Sequence, residues 1–146
     1  MRLGYAITSL HSQSTGPAAA GSSANALFGS RYLDGVGARV EALANGNYVV
    51  VSPSWNQSGG FGIHAVGAAT FCSGTTGCQG AVSLANSFTG WSQVGNSLGA
   101  VALANGNYVV GSPEWNSGSL DDVGAVALCS STTGCVGTFD ATNALV

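Results

Sequence analysis

The sequence contains very few charged residues and no lysine. Charged side chains make up 6% of its 146 residues, whereas average soluble domains have roughly 25%. The three cationic residues are all arginines, and the formal net charge is -3. A nucleic-acid-binding surface needs clustered Lys and Arg to displace the counterions of phosphates, and a polybasic membrane-binding surface needs the same residues. The composition therefore excludes both kinds of partner.

Long apolar runs are also missing. No stretch approaches the roughly 20 apolar residues that cross a bilayer, so we predict no membrane insertion. Residues 1–13 contain one arginine and a short apolar stretch that Gly4, Thr8 and Ser9 interrupt, and no convincing cleavage site follows. We interpret this segment as folded structure, which places any export signal outside this sequence or requires another export route.

Motifs of known catalytic sites are absent as well. The sequence has no G-x-S-x-G, H-E-x-x-H or P-loop pattern. His11 and His64 occupy positions that do not recur, and we interpret them as exposed loop residues. Asp121 and Asp122 would point to opposite faces of a strand, which argues against an acid/base pair and favours a solvated turn. We predict no catalytic residue, no metal site and no cofactor, so the protein is not expected to be an enzyme.

The sequence is dominated by an internal repeat. Residues 42–53 read ALANGNYVVVSP and residues 102–113 read ALANGNYVVGSP, which are identical at 11 of 12 positions with a shift of 60. Further along, Cys72–Cys78 (CSGTTGC) matches Cys129–Cys135 (CSSTTGC) with a shift of 57. A repeat of nearly 60 residues therefore occurs twice.

The first thirty residues resemble the second half of this repeat. Gly4–Ile7 match Gly124–Ala127, and a Thr-Gly turn and an Asn follow in the same order. We therefore predict one repeat domain, 1–146, that consists of a half repeat (1–30), repeat 1 (31–90) and repeat 2 (91–146).

Each repeat has the signals of β-hairpins. Asn-Gly pairs at 45–46 and 105–106 lie between apolar runs and predict type I′ turns, and Pro53 and Pro113 end the second strand of each hairpin. A second hairpin is predicted to join residues 67–72 to 78–84 through the turn Ser-Gly-Thr-Thr-Gly.

No stretch has the spacing of an amphipathic helix. We predict an all-β fold of tandem four-stranded antiparallel sheets, arranged either as β-propeller-like blades or as a stacked array of β-repeats. Asn25, Asn86 and Asn143 end the second hairpin in the three copies, where an Asn side chain bonds nearby backbone groups.

The motif ALANGNYVV-x-SP-x-WN resembles the tandem repeats of large bacterial secreted or surface adhesin-like proteins of the filamentous-haemagglutinin kind. More distantly, the order Val-Gly, Asn-Gly, Val-Val, Gly-Ser-Pro resembles FG-GAP blades of integrin-type β-propellers, which implies a propeller-like blade. Those blades usually have an aspartate-rich calcium loop at the Asn-Gly turn. Residues 44–48 and 104–108 have no carboxylate there, so the resemblance does not extend to calcium binding.

The four cysteines occupy equivalent positions in the two repeats. We predict two disulfides, Cys72–Cys78 and Cys129–Cys135, because cysteines that face each other across a hairpin lie close enough to bridge. Reduced, buried thiols are the main alternative, and zinc binding is disfavoured by the five intervening residues. Two disulfides would indicate an oxidising compartment, so we predict an extracellular or cell-surface protein.

Three tryptophans are the candidate ligand-binding residues. Trp55 and Trp115 follow the Ser-Pro that ends a strand, and Trp91 is the first residue of repeat 2. Two interpretations remain open. The indole rings stack on sugars or anchor a protein partner, or each ring packs over the edge of a sheet.

The repeat arrangement leads to two hypotheses about function. The half repeats at the two ends of the sequence are the same half, so each end needs a cover from another copy or from further repeats of a longer chain. We expect an extracellular structural or adhesive β-repeat protein that self-assembles head to tail into a fibre or surface structure. The alternative is a lectin-like propeller module whose tryptophans bind glycans or a protein.

Overall fold

The structure, a computed structural model, describes residues 26–57, 65–90 and 98–146. Within these residues the fold is all-β, as predicted, and contains ten short strands. The strands are β1 (Leu27–Phe28), β2 (Arg39–Ala42), β3 (Tyr48–Ser52), β4 (Ala68–Cys72), β5 (Gly80–Ala81), β6 (Phe88–Thr89), β7 (Gly99–Ala102), β8 (Tyr108–Ser112), β9 (Ala125–Cys129) and β10 (Gly137–Thr138).

Repeat 1 forms a four-stranded antiparallel sheet in the order β2-β3-β4-β6. Its longest ladder pairs β3 with β4, from Tyr48 opposite Cys72 to Ser52 opposite Ala68. A fifth strand, β10 of repeat 2, joins the sheet by pairing in parallel with β6. The predicted four-stranded unit is therefore present, and the two repeats share a sheet.

Repeat 2 builds the same unit with a shorter fourth strand. The strands β7, β8 and β9 form an antiparallel sheet in which Tyr108 lies opposite Cys129 and Ser112 opposite Ala125. An isolated bridge between Val126 and Leu145 occupies the position at which β4 meets β6 in repeat 1.

The predicted type I′ turns are wrong. Leu43 O accepts a hydrogen bond from Gly46 N (3.0 Å) and Leu43 N donates to Asn47 O (2.8 Å), which closes a loop of three residues. Gly46 has φ +86°, but Asn45 is not among the residues with positive φ. Asn45 instead accepts a bond from Asn47 N at 3.1 Å through Oδ1. The extra residue places only the glycine in the left-handed region, as in a type I turn with a bulge.

The predicted second hairpin is also wrong beyond its turn. A bridge between Ser73 and Gly77 closes the turn, but the chain after it does not pair with β4. Gly80 has φ +89°, and this left-handed residue directs β5 to a parallel pairing with β1. The free edge of β4 takes β6 instead, which buries Phe88 in the core. The fourth strand of the sheet is thus contributed by residues further along the chain than predicted.

The asparagines after β5 and β10 have the predicted turn role. Asn86 accepts a bond from Ser83 N (2.9 Å) and donates to Ala81 O (2.9 Å). Asn143 makes the corresponding bonds to Asp140 N (3.0 Å) and Thr138 O (2.8 Å). Each side chain replaces backbone partners that the turn lacks. Asn25 lies outside the described residues.

The main hydrophobic core lies between the two repeats rather than inside either one. Its buried residues come from both repeats: Leu43, Val49, Val51, Ala69 and Phe88 from repeat 1, and Leu98, Tyr108, Val110, Trp115, Ala125, Ala127, Cys129 and Phe139 from repeat 2. The opposite side of the repeat 1 sheet is covered by Leu27 and Val36. A single small sheet has too little apolar surface on one face, so stacking against the next sheet provides most of the burial.

Candidate functional site

The junction between the repeats contains the largest buried hydrophobic cluster in the described part of the chain, and it is the candidate functional site. Alternate residues of a strand point to opposite faces of the sheet. We call Val49, Val51, Ala69 and Phe71 the outward face of repeat 1. We call Tyr108, Val110, Ala127 and Cys129 the inward face of repeat 2. These two faces pack directly on each other.

Two aromatic pairs cross the junction. The rings of Phe71 and Tyr108 stack with centroids 6.5 Å apart and an interplanar angle of 7°. The rings of Phe88 and Phe139 lie 5.1 Å apart at 45°. Both separations fall in the range in which aromatic pairs stabilise each other beyond the area that they bury.

A leucine fits into a glycine-lined seat at the same junction. The side chain of Leu98, which is buried, lies against Gly67. A Cβ added at Gly67 would lie 3.0 Å from Leu98 Cβ and 3.3 Å from Pro53 O. Gly67 also has φ +74°, which favours glycine. Gly67 therefore leaves the space that Leu98 of the next repeat occupies, and we call this space beside Gly67 and Pro53 the leucine seat.

Hydrogen bonds add direction to this apolar contact. The side-chain amides of Asn45 and Asn47 in repeat 1 both donate through Nδ2 to Ser131 O in the cysteine turn of repeat 2, at 2.7 and 2.8 Å. The Glu41 carboxylate accepts a bond from Ala102 N on the edge of β7 at 2.9 Å. The bonds of Asn47 and Glu41 are partly buried, so they satisfy polar groups that stacking would otherwise shield from water.

Parallel strand pairing links successive repeats twice with the same geometry. Gly137 N donates to Ser87 O (3.0 Å) and Phe139 N donates to Thr89 O (2.8 Å). One repeat earlier, Gly80 N donates to Ala26 O and Val82 N donates to Phe28 O, both at 3.0 Å. The recurrence shows that this pairing is a property of the repeat and not of one location.

Both predicted disulfides are confirmed. Cys72 bonds Cys78 and Cys129 bonds Cys135, with Cα separations of 4.8 and 5.3 Å. Each bridge closes a short loop, for which loop entropy accounts for about 2 kcal/mol of stability. Because all four cysteines of the sequence are paired, the chain has features typical of proteins from oxidising compartments.

A buried tyrosine supports each disulfide turn. The Tyr108 hydroxyl accepts a hydrogen bond from Cys135 N at 3.3 Å, and the Tyr48 hydroxyl accepts one from Cys78 N. Burial raises the pKa of both tyrosines above the usual value of 10, and the backbone bond partly opposes this shift.

We expect the stability of the fold to decline in strong alkali. Because the pKa of each tyrosine is raised, the fold favours the neutral phenol. The stability that comes from this preference is fully present below pH 10 and is lost as the pH rises through 10 toward the pKa of the folded state. Urea unfolding between pH 8 and 11 measures this slope, and the double variant Tyr48→Phe, Tyr108→Phe should flatten it. Tyr32→Phe is the control, because Tyr32 is 92% exposed. An unchanged slope in the double variant would contradict this cause.

Two of the three candidate tryptophans are buried. Trp55 is 4% exposed and packs against Val66, Ala68 and Val82, whereas Trp115 is 7% exposed and belongs to the core between the repeats. In each repeat the backbone carbonyl of the tryptophan accepts a hydrogen bond that closes the loop before the third strand of that repeat. This burial favours a packing role, because neither ring face is available for a sugar in this arrangement. Trp91 lies outside the described residues.

The remaining polar candidates form no joint site in the described segments. Asp121 and Asp122 are exposed, and Asp122 has φ +53° in a loop that Asn116 supports by accepting its N–H at 2.7 Å. Residues 26–57, 65–90 and 98–146 contain no group of three or more His, Cys, Asp or Glu that would hold a metal ion. His11 and His64 lie outside these segments.

The repeat geometry agrees with a comparison against protein families. A family described as a repeat of unknown function, DUF5650, matches residues 42–100 and again residues 102–146. The chain belongs to the DUF5650 repeat family. Its two matched copies stand in tandem, as the internal similarity predicts. No curated protein and no solved structure matches the chain. In the part of this DUF5650 chain that the structure describes, no helix is long and apolar enough to span a membrane.

Reasoning from sequence missed the residues that join the two DUF5650 repeats. Phe71, Leu98 and Phe139 received no role, because a single apolar residue in a strand or loop does not reveal its partner. One signal was present. The run Tyr48–Ser52 is apolar at four successive positions, which is typical of a strand covered on both faces.

Proposed function

We propose that this DUF5650 protein is an extracellular structural or adhesive protein whose repeats stack head to tail into a fibre or surface structure. The observation that supports the proposal is the junction itself. It combines apolar faces, a leucine seat, directional hydrogen bonds and parallel strand pairing, and the pairing recurs between successive repeats. An interaction that is repeated with one geometry extends in one direction.

The chemistry of the chain is consistent with such an assembly. Glu41 is the only charged side chain among the residues that we identify at the junction, and it is hydrogen-bonded there. A chain with 6% charged residues has little electrostatic repulsion to oppose contact between copies. The two disulfides support a location outside the reducing cytoplasm. The lectin-like alternative lacks a comparable observation, because Trp55 and Trp115 are buried.

Light scattering coupled to size-exclusion chromatography tests the proposal over a hundredfold range of protein concentration. We expect masses that rise in multiples of 14.3 kDa and linear particles in negative-stain images. Raising the salt concentration should not dissociate them, since apolar stacking is not screened by ions, unlike an assembly held by ion pairs. A stable monomer at the highest concentration would contradict head-to-tail assembly.

A further inference from the structure

The outward face of repeat 2 repeats the stacking face of repeat 1 but is open. We define this acceptor face by Val101, Val109, Gly111, Val126 and Leu128. In sequence these residues correspond to Glu41, Val49, Val51, Ala69 and Phe71. In repeat 1, Val49, Val51 and Ala69 are at most 1% exposed, whereas Val101, Val126 and Leu128 are 59%, 46% and 64% exposed. The acceptor face is thus an apolar sheet surface with a known mode of packing and no cover among the described residues.

A cavity on the acceptor face corresponds to the leucine seat. It has a volume of about 360 Å³, and its lining includes Gly111, Pro113, Gly124 and Val126. Gly124 has φ +73°. A Cβ added at Gly124 would lie 3.3 Å from Pro113 O, the same distance as that from a Cβ added at Gly67 to Pro53 O. In repeat 1 this seat holds Leu98. The cavity in repeat 2 therefore has the position and lining for an apolar side chain of a following repeat.

Two amide groups of repeat 2 repeat the donors of the junction. Asn105 accepts a bond from Asn107 N at 3.1 Å through Oδ1, and Asn107 accepts one from Ser131 N at 3.2 Å. Asn45 and Asn47 accept the equivalent bonds, which orients their Nδ2 groups toward the carbonyl of the next cysteine turn. The same orientation places the Nδ2 groups of Asn105 and Asn107 to bind a carbonyl beyond repeat 2.

The strand edge next to this face is also repeated. Phe88 pairs with Ala69 on one side and with Gly137 of the following repeat on the other. Leu145 pairs with Val126 on the first side and is 80% exposed. Its second side offers the same hydrogen-bonding edge for a parallel segment.

We propose that the acceptor face of repeat 2 binds a second copy of this chain. The inference rests on the proposed function and specifies its contact surface. Four independent features of repeat 2 (the apolar face, the leucine seat, the amide donors and the strand edge) occupy the positions that their counterparts in repeat 1 occupy in the existing junction. The sequence of residues 1–30 repeats the half that contains β9, the cysteine turn and β10, which is the half that contacts Asn45, Asn47 and β6 in the existing junction.

A charged substitution on the acceptor face tests the proposal in the full chain. Leu128→Asp should weaken self-association at least tenfold, because stacking would bury an unpaired carboxylate. Val136→Asp is the matched control. Val136 is 58% exposed and corresponds to Gln79, which is exposed in repeat 1 outside the junction. We expect the association constant of the Val136→Asp variant to stay within about twofold of that of the parent chain, far less than the tenfold change expected for Leu128→Asp. Equal assembly of all three proteins would overturn the acceptor face and leave head-to-tail assembly in place.

A tandem chain separates failure of this surface from failure of self-assembly. It carries a second copy of residues 91–146 after Val146. At a concentration at which the parent chain is monomeric, Leu128→Asp should lower the midpoint of thermal unfolding of the tandem chain by roughly 5 °C or more, but that of the parent chain by less than about 1 °C, because only the tandem chain then covers Leu128. Small shifts in both chains would overturn the acceptor face. A large shift in the tandem chain, together with a parent chain that stays monomeric at the highest concentration of the light-scattering series, would overturn the second copy as the occupant.

Discussion

Phe88→Ala is expected to lower the free energy of unfolding by about 3–5 kcal/mol. Phe88 is 2% exposed, and its ring packs against Phe139 of the following repeat at 5.1 Å. Its backbone also lies in β6, between β4 and β10. Removing the ring leaves a cavity at the point where the two repeats share a sheet, and the surrounding backbone is held by pairing on both sides. Urea unfolding monitored by tryptophan fluorescence measures the loss.

The repeat supplies a control for this change at the equivalent position. Leu145 pairs with Val126 as Phe88 pairs with Ala69, but its side chain is 80% exposed. Leu145→Ala should therefore change the free energy of unfolding by no more than about 0.5 kcal/mol, measured at a concentration where the chain is monomeric. Similar losses in the two variants would mean that the junction contributes no more than the strand pairing itself.

Gly134→Ala is expected to destabilise the chain by about 3 kcal/mol, and Gly77→Ala by only about 1 kcal/mol. The two glycines end equivalent cysteine turns with φ +70° and +72°, so an alanine meets the same backbone strain in both. Their surroundings differ. A Cβ at Gly134 would lie 2.5 Å from Phe71 Cβ and 2.8 Å from Phe71 Cγ, but a Cβ at Gly77 meets only the Tyr48 hydroxyl at 3.6 Å.

The difference between these two variants isolates the approach of one repeat to the next. Chemical unfolding of both variants under oxidising conditions, with both disulfides intact, gives the two losses directly. The added loss in Gly134→Ala comes from displacing Phe71 and with it the stacked ring of Tyr108. If both variants lose the same stability, the turn strain alone explains the effect, and the close contact with Phe71 contributes nothing.

Both predictions follow from a chain whose stability depends on contacts between neighbouring repeats. In such arrays the total stability is approximately the sum of the stability of each repeat and that of each junction. A substitution at the junction therefore affects both repeats that meet there. The same physics makes an open acceptor face costly in water, since its exposed valines and leucine gain stability only when another repeat covers them.

Local features of the fold were accessible from the sequence because each depends on residues that are close in the chain. The pairing of Cys72 with Cys78 depends on a five-residue turn, and the end of β3 before Pro53 depends on a missing backbone donor. The role of Asn86 likewise involves only residues within five positions. Because the sequence repeats, each local prediction made for repeat 1 also applied to the equivalent residues of repeat 2.

Turn geometry was harder to predict even at short range. The Asn-Gly pair at 45–46 is compatible with a two-residue and a three-residue loop, and the choice depends on which backbone groups pair at Leu43 and Asn47. The cysteine turn led to a similar error, because residues after Cys78 have enough strand propensity to pair with β4. The backbone of Gly80 and the competing edge of β1 direct them elsewhere.

The sequence by itself determined the repeat, the all-β class, the disulfides and the near absence of charge. Only the tertiary structure decided which surfaces meet. It buried Trp55 and Trp115, paired β6 with β10, and brought Phe71 onto Tyr108. The physical reason is that strand edges and apolar faces have many compatible partners in a sequence of similar repeats. The combined fit of backbone pairing, side-chain volume and buried hydrogen bonds selects one of them only when the whole fold forms.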